Sequence, residues 1–267
     1  MVINSNVAAQ TAATNLNNSS NMLNASLARL SSGSNFVNPA YDPAGNAESI
    51  SLNAQISQTS AANGNVGNAI SYLQTQNGYL QQVGSALDQM ATLAIQAQDV
   101  TKSASQRTDY QSEYSTLAGY ITDTATKDFN GVSLFAGAAL AVTTDSSGTK
   151  FNTTGVNLGA SQYTGATAGN VSTTTGAVSA LTAVTSAITQ LGTDTAKVGA
   201  DTMRLTYTSS ELNVLKDNLN AANSQIANVD VATESTKYAA AQILVQAGVS
   251  MLAQANQNPQ AVLKLIQ

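Results

Sequence analysis

Several residue types on which most catalytic sites depend are missing from this chain of 267 residues. It contains no cysteine, no histidine and no tryptophan. Without cysteine there is no disulfide framework and no thiolate site, and without histidine the commonest general base and metal ligand is absent. A Ser-His-Asp triad, a Cys-His pair and the usual zinc sites are therefore excluded. The composition predicts a protein that is not an enzyme and that uses no cofactor or metal.

Charge is also scarce, because only 9% of the residues are charged and the net charge is −5. The chain has no basic patch, which argues against nucleic acid as a partner, and such low charge favours association. No apolar run approaches the roughly 18–20 residues that span a bilayer, so no membrane insertion is expected. The segment Met1 to Gln10 has no Lys, no Arg and no apolar core, unlike a secretory signal peptide. We therefore expect a cytoplasmic protein or one exported without removal of a signal.

Both ends of the chain are rich in Ala, Leu, Gln and Asn at helical spacing, whereas 136–176 is rich in Gly, Thr, Ser and Ala. The middle segment is typical of turns and loops, and Phe151 to Tyr163 could supply short strands. A shorter helix is predicted over 104–127, and the Asn130-Gly131 pair that follows it indicates a tight hairpin turn.

An apolar heptad line dominates the C-terminal half, and a matching line occupies the segment 46–98. Two helices over 46–98 and 177–229 have equal length, so we expect them to lie antiparallel as a coiled coil. The predicted seam consists of Leu73, Leu80 and Leu87 in the first helix and of Val184, Leu191, Val198, Leu205, Leu212, Leu219 and Ile226 in the second.

The outermost segments carry apolar and small residues at intervals of three and four and have almost no charge. Single helices of this kind are marginal in water and need a partner. The stripes could belong to an ordinary core, to membrane-surface helices or to an assembly surface. Membrane-surface helices usually carry Lys or Arg on the polar face, so we favour assembly. The candidate assembly residues are Leu16, Leu23, Leu27, Leu30, Leu244, Val245, Gly248, Met251, Leu252 and Ala255.

Two proline-containing or acidic segments separate these ends from the long helices. The segment 36–45 holds Pro39 and Pro43 and is predicted to be a non-helical connector. Asp230 and Glu234 lie one helical turn apart and could be a catalytic pair. An acidic first turn that complements the helix dipole is the simpler interpretation.

Sequence motifs at both ends resemble those of bacterial flagellins over about 1–135 and 177–267. The chain departs from the family pattern at Tyr41, where an Asp is common, and at Gln225, where an Arg is common. The matching motifs read Leu-Ala-Arg-Leu-Ser-Ser-Gly at 27–33, Asp-Pro-Ala-Gly at 42–45, Phe-Asn-Gly-Val at 129–132, Asn-Val-Asp-Val-Ala-Thr-Glu at 228–234, Gln-Ile-Leu-Val-Gln-Ala-Gly at 242–248, Met-Leu-Ala-Gln-Ala-Asn-Gln at 251–257 and Pro-Gln-Ala-Val-Leu at 259–263.

The resemblance implies a mainly α subunit of an extracellular flagellar filament, secreted unfolded through the flagellar type III export apparatus. It implies three parts: an inner terminal-helix domain of 1–45 and 230–267, a long-helix domain of 46–135 and 177–229, and a short variable outward-facing segment at 136–176. The expected partners are other copies of the chain, the cap and junction proteins and an export chaperone. A hook-filament junction protein, which is a hook-associated relative, is the alternative function. A carboxylate-dependent hydrolase would need a cluster of acids that the sequence does not offer.

Two further sites follow from the resemblance. The polar line of Gln242, Gln246, Gln254 and Gln257 could be an ordinary solvated face, but it also suits the neutral lining of a channel through which unfolded cargo passes. An animal innate receptor docks on the long N-terminal helix of related flagellins, which in register places its recognition region at Gln89, Met90 and Leu93. Because two arginines of the family pattern are replaced here, we expect weak recognition.

Overall fold

The computed structural model describes the backbone of residues 6–266 and the side chains of residues 6–257. Side chains of the 259–263 motif therefore lie outside the described part. The fold is mainly α, as predicted from the sequence. Its helices are α1 (Val7–Ser32), α2 (Pro43–Gln98), α3 (Ala104–Ala125), α4 (Ser161–Thr167), α5 (Thr174–Ala227) and α6 (Val231–Ile266), and its strands are β1 (Asp128–Phe129), β2 (Val132–Ser133), β3 (Ala141–Thr143) and β4 (Lys150–Asn152).

Helix ends follow local chemistry closely. Helix α1 ends at Ser32 and is capped by Gly33. The φ of 71° at Gly33 lets its amide donate to the Arg29 carbonyl. Helix α2 begins three residues earlier than the predicted connector allows. Pro43 is its first residue because the fixed φ of proline suits that position, and the Asp42 carboxylate accepts from the Gly45 amide at 2.9 Å. Helix α5 likewise begins at Thr174, three residues before the predicted start.

The described residues form two compact units, one of 56–217 (unit 2) and one that combines the chain up to Gln55 with the chain from Asn218 onward (unit 1). These boundaries lie about ten residues inside the long helices. Both long helices contribute to each unit, so a loop is not the boundary in either case.

In unit 2 the two long helices run antiparallel, as predicted. Asn63 donates to Asn213 at 2.9 Å, and at the other end Gln98 donates to the Ala177 carbonyl at 3.4 Å, so residue numbers fall along α5 as they rise along α2. The predicted seam is buried through this unit, whereas Leu219 and Ile226 in unit 1 are only half-buried. Its buried members are Leu73, Leu80, Leu87, Val184, Leu191, Val198, Leu205 and Leu212.

The predicted hairpin turn is present between β1 and β2. Asn130 and Gly131 have φ values of 52° and 79°, and the strands pair Phe129 with Val132. The Tyr72 hydroxyl of α2 donates to the Ser133 carbonyl at 2.7 Å. Its ring meets Phe129 edge-on, with centroids 6.0 Å apart. These contacts attach the hairpin to the long helix.

Turns and loops predominate in the middle of the chain, as expected. Of the predicted strand region only Phe151 and Asn152 lie in a strand, β4, and Tyr163 lies in helix α4. This segment is fixed to α5 by polar contacts as well as burial. Thr154 donates its amide to Asp201 at 2.6 Å. Its apolar side chains join the core, and the buried ones are Val142, Val156, Leu158, Tyr163, Ala166 and Val171.

Candidate assembly surface

In unit 1, helices α1 and α6 pack against each other. An added Cβ at Gly248 would lie 3.2 Å from Cδ1 of Leu16, so the glycine allows a close helix approach. At the far end the Asn6 side chain donates to the Ala255 carbonyl at 2.7 Å. At the near end the Val229 amide donates to the Gly33 carbonyl at 3.0 Å. The pair is therefore closed by hydrogen bonds at both ends.

The candidate assembly residues divide between the inside and the outside of this helix pair. Ala255 is buried, while Leu27, Leu244 and Met251 are 51%, 50% and 64% exposed. The half-buried members are Leu16, Leu23, Leu30, Val245, Gly248 and Leu252. Periodicity alone could not make this division, because a stripe that faces a helix of the same chain has the same spacing as one that faces another copy.

Large apolar side chains are exposed on both helices of this pair. Apolar side chains that form an exposed patch mark an interaction surface. The exposed large apolar residues on α1 and α6 are Val7, Met22, Leu27, Val231, Ile243, Leu244, Val249 and Met251.

A charged cluster lies where α1 meets the start of α6. Glu234 is 2% exposed, its Oε2 lies 3.1 Å from Lys237 Nζ, and its Oε1 lies 3.6 Å from Arg29 Nη1. Burial raises the pKa of this carboxyl, but hydrogen bonds from Ser26 and Lys237 and the charges of Lys237 and Arg29 outweigh burial, so its pKa is below the ordinary value. The acid is therefore held ionised inside the helix pair.

This role of Glu234 was missed in the sequence. The interpretation as an acidic helix start fits both acids. Glu234 lies in the first turn of α6, and the Asp230 carboxylate accepts from the Ala232 amide at 2.9 Å at the position of a helix cap. Glu234 in addition balances the charge of Arg29 on α1. A signal was available, because Arg29 is the single charged residue of α1 and Glu234 is the single acid of α6.

A groove of about 460 Å³ lies beside the cluster, between α1 and α6. The Arg29 guanidinium lies 5.5 Å from the ring centre of Tyr41, which closes one end. The walls are mostly small or apolar and come from Met22, Ala25, Ala240, Ala241 and Leu244.

The four glutamines of the predicted channel lining are all exposed on α6. Ser250, which lies on the same line, donates its hydroxyl back to the Gln246 carbonyl at 3.1 Å. The line is therefore an uncharged amide and hydroxyl surface, separate from the residues of α6 that pack on α1.

The receptor-recognition region is only partly accessible. Gln89 is exposed, but Met90 is 0% and Leu93 is 6% exposed. Met90 and Leu93 belong to the core of unit 2, so of the three only Gln89 is accessible in the monomer, and weak recognition by the receptor stays a prediction.

Among the described residues, acids nowhere gather in groups of three or more that could hold a metal ion. Each helix in the described part of the chain lacks an apolar stretch long enough to cross a membrane.

Comparison with known proteins agrees with the geometry. The family model for the N-terminal helical region of bacterial flagellin matches residues 3–139, and that for the C-terminal helical region matches residues 181–266. The fold is similar to a solved structure described as a flagellar hook-associated protein of Vibrio parahaemolyticus, with a TM-score of 0.59 and 12% identity, over 70% of this chain and 100% of that one. At that identity the likeness concerns the fold alone.

Full-length relatives extend the match over the middle segment. A flagellar filament 33 kDa core protein of Treponema phagedenis is 32% identical over 285 residues, and 100% of both chains is covered. A flagellin of Halalkalibacterium halodurans is 33% identical over 272 residues, again with 100% of both chains covered. With both helical regions matched and the whole length aligned, this chain belongs to the bacterial flagellin family and is a structural subunit of the flagellar filament.

Proposed function

We propose that the α1–α6 pair is the surface through which this subunit joins other copies of itself. The observation that carries the proposal is the apolar outer face of the pair, on which Leu27, Leu244 and Met251 are at least half exposed. Exposed apolar side chains are costly in a free chain, and packing between subunits would remove them from water. The ion pair of Arg29 and Glu234 joins the two helices, so they present one surface.

The exposed glutamine line suits the lumen of a hollow filament. Gln242, Gln246, Gln254 and Gln257 offer neither charge nor apolar area to a passing unfolded chain. Export through the flagellar type III apparatus, an export chaperone and the cap and junction proteins are the partners that family membership suggests. A reconstruction of the filament tests the lining directly, and a lumen formed by another face of α6 would overturn it.

Polymerisation of a Gly248→Leu variant tests the helix pair. The larger side chain meets Leu16, so we expect elongation of short filament seeds to be lost while unit 2 keeps its thermal transition. Gly199→Leu is the matched control, because an added Cβ there has nothing within 4 Å. Normal elongation by Gly248→Leu would contradict the proposed surface.

The same assay separates the filament role from the hook-associated alternative. A filament subunit adds to seeds repeatedly, so filament length grows with the supply of monomer. A junction protein would add a short, limited layer. The full-length match to filament and flagellin relatives favours the first outcome.

A further inference from the structure

The chain contains the dipeptide Asn-Gly three times, at 63–64, 77–78 and 130–131. Glycine has no side chain to shield its amide nitrogen, and Asn is a thermolabile residue. The three pairs have the same covalent chemistry, so differences in their reactivity must come from the fold.

Two of the pairs lie inside helix α2. In a helix each amide donates to the carbonyl four residues earlier, which holds the Gly64 and Gly78 nitrogens in the ladder. The Asn63 side chain is also fixed, since it donates to Asn213 at 2.9 Å and accepts from the Ser209 hydroxyl at 2.8 Å. Asn77 has its side-chain oxygen buried in unit 2.

The third pair forms the tip of the β1–β2 hairpin. Both Asn130 and Gly131 are exposed, and the strands pair only the residues that flank them. The Gly131 amide is outside that ladder and donates to Asp128 Oδ1 at a long 3.4 Å. A hairpin with two residues in each strand is marginal by itself, and exposed loop tips open at the lowest free energy.

We propose that Asn130 is a site of spontaneous deamidation in the folded subunit. The Gly131 nitrogen loses its proton to hydroxide and attacks the Asn130 side-chain carbon. The new nitrogen–carbon bond forms as the side-chain amide leaves as ammonia, which closes a succinimide ring. Water then opens the ring at either carbonyl and leaves aspartate or isoaspartate at position 130.

The product changes the hairpin in two ways. The chain gains one negative charge, from −5 to −6, next to the exposed carboxylate of Asp128. The isoaspartyl form also adds an atom to the backbone of a turn that joins strands of only two residues. We expect that form to disturb the Phe129 contact with Tyr72, which depends on the turn.

Incubation of the full-length subunit at mildly alkaline pH tests the site. Trypsin releases the peptide 128–150, in which Asn130 is the only amide side chain, so mass spectrometry assigns any gain without ambiguity. Chymotrypsin separates Asn63 from Asn77 by cleavage at Tyr72 and Leu73. We expect Asn130 to convert at least about tenfold faster than Asn63 and Asn77. A ratio of ten requires the free energy of local opening to be only ~1.4 kcal/mol higher in α2 than in the hairpin.

Two controls make the result interpretable. In concentrated denaturant the three asparagines should convert at similar rates, because the fold is lost and the three Asn-Gly pairs share the same covalent chemistry. Tyr72→Phe removes the hydrogen bond to Ser133 and should accelerate conversion at Asn130 alone. Conversion of Asn63 or Asn77 as fast as Asn130 in the folded protein would overturn the proposal, and so would an unchanged peptide 128–150 after conversion is complete in denaturant.

Discussion

Unit 1 and unit 2 bury their side chains in contrasting ways. Among residues with described side chains, the buried apolar ones in unit 1 are Ala241 and Ala255. The largest fully buried side chains all lie in unit 2, where Tyr114, Phe135 and Leu205 are examples. Both units are helical, so the difference is in packing and not in secondary structure.

This contrast indicates where the stability of each unit comes from. Unit 2 removes its large apolar side chains from water within one chain, which is the dominant favourable contribution to folding. The buried residues of unit 1 are mostly alanine and serine, whereas Leu27, Leu244 and Met251 are at least half exposed. Its helices are long enough to form but gain little from burial within the monomer, so most of their stabilisation is expected from neighbouring subunits.

The largest expected effect comes from truncating one leucine in each unit. Leu205→Ala removes a side chain that is 0% exposed and should lower the free energy of unfolding by ~2–5 kcal/mol. Leu244→Ala removes one that is 50% exposed and should change it by less than about 0.5 kcal/mol. Urea denaturation of both monomers measures the difference. The contrast between the units fails if the two substitutions cost the same.

In a polymerisation assay Leu244→Ala should have a larger effect than Leu205→Ala, the reverse of their order in stability. Leu244→Ala is expected to raise the monomer concentration needed for seed elongation, because on the proposed surface the contact that it loses is one between subunits. Leu205→Ala should assemble normally at temperatures where it is folded. A Leu244→Ala monomer that elongates seeds like the unmodified protein would place the assembly contacts elsewhere.

A smaller effect is expected at the polar attachment of the middle segment in unit 2. The Tyr163 hydroxyl donates to the buried Asp194 at 2.9 Å. Burial is the main cause that raises the pKa of this phenol well above its usual range, and the hydrogen bond and charge of Asp194 raise it further. Tyr163→Phe leaves a buried carboxylate without one donor and should cost ~1–3 kcal/mol. Tyr207→Phe, at a site that is 70% exposed, should be nearly neutral. Equal stability of the two variants in thermal unfolding would show that the hydrogen bond contributes little.

Regular repeats made the helices and the seam predictable from the sequence, and the Asn130-Gly131 pair made the hairpin predictable. The packing of the middle segment was not predictable, because no repeating pattern in the sequence indicates that Tyr163 contacts Asp194. The assembly residues were found as a set, but the sequence could not separate Leu16, which faces Gly248 within the chain, from Leu244 on the surface. That separation depends on how α1 and α6 face each other.

The smallest expected effect is a pH dependence confined to unit 1, to which the buried carboxyl of Glu234 contributes. The folded pKa of Glu234 lies below its ordinary value of 4.5. Ionised Glu234 therefore stabilises the α1–α6 pair above that ordinary value, and the contribution is lost as pH falls through the folded pKa. The charged groups that face it are Arg29, at 3.6 Å, and Lys237, at 3.1 Å.

Hydrogen exchange at the start of α6 measures this dependence. Protection should fall on acidification in the unmodified chain and should be lower but less pH-dependent in Glu234→Gln, which cannot ionise. Asp230 also has a lowered pKa, from hydrogen bonds with Thr233 and Ala232 and the charge of Lys237, so it would contribute to the same transition. Asp230→Asn keeps a good helix cap without a charge and isolates the Glu234 contribution. If acid lowers protection equally in Asp230→Asn and in Asp230→Asn combined with Glu234→Gln, the buried carboxylate is not what holds the two helices together.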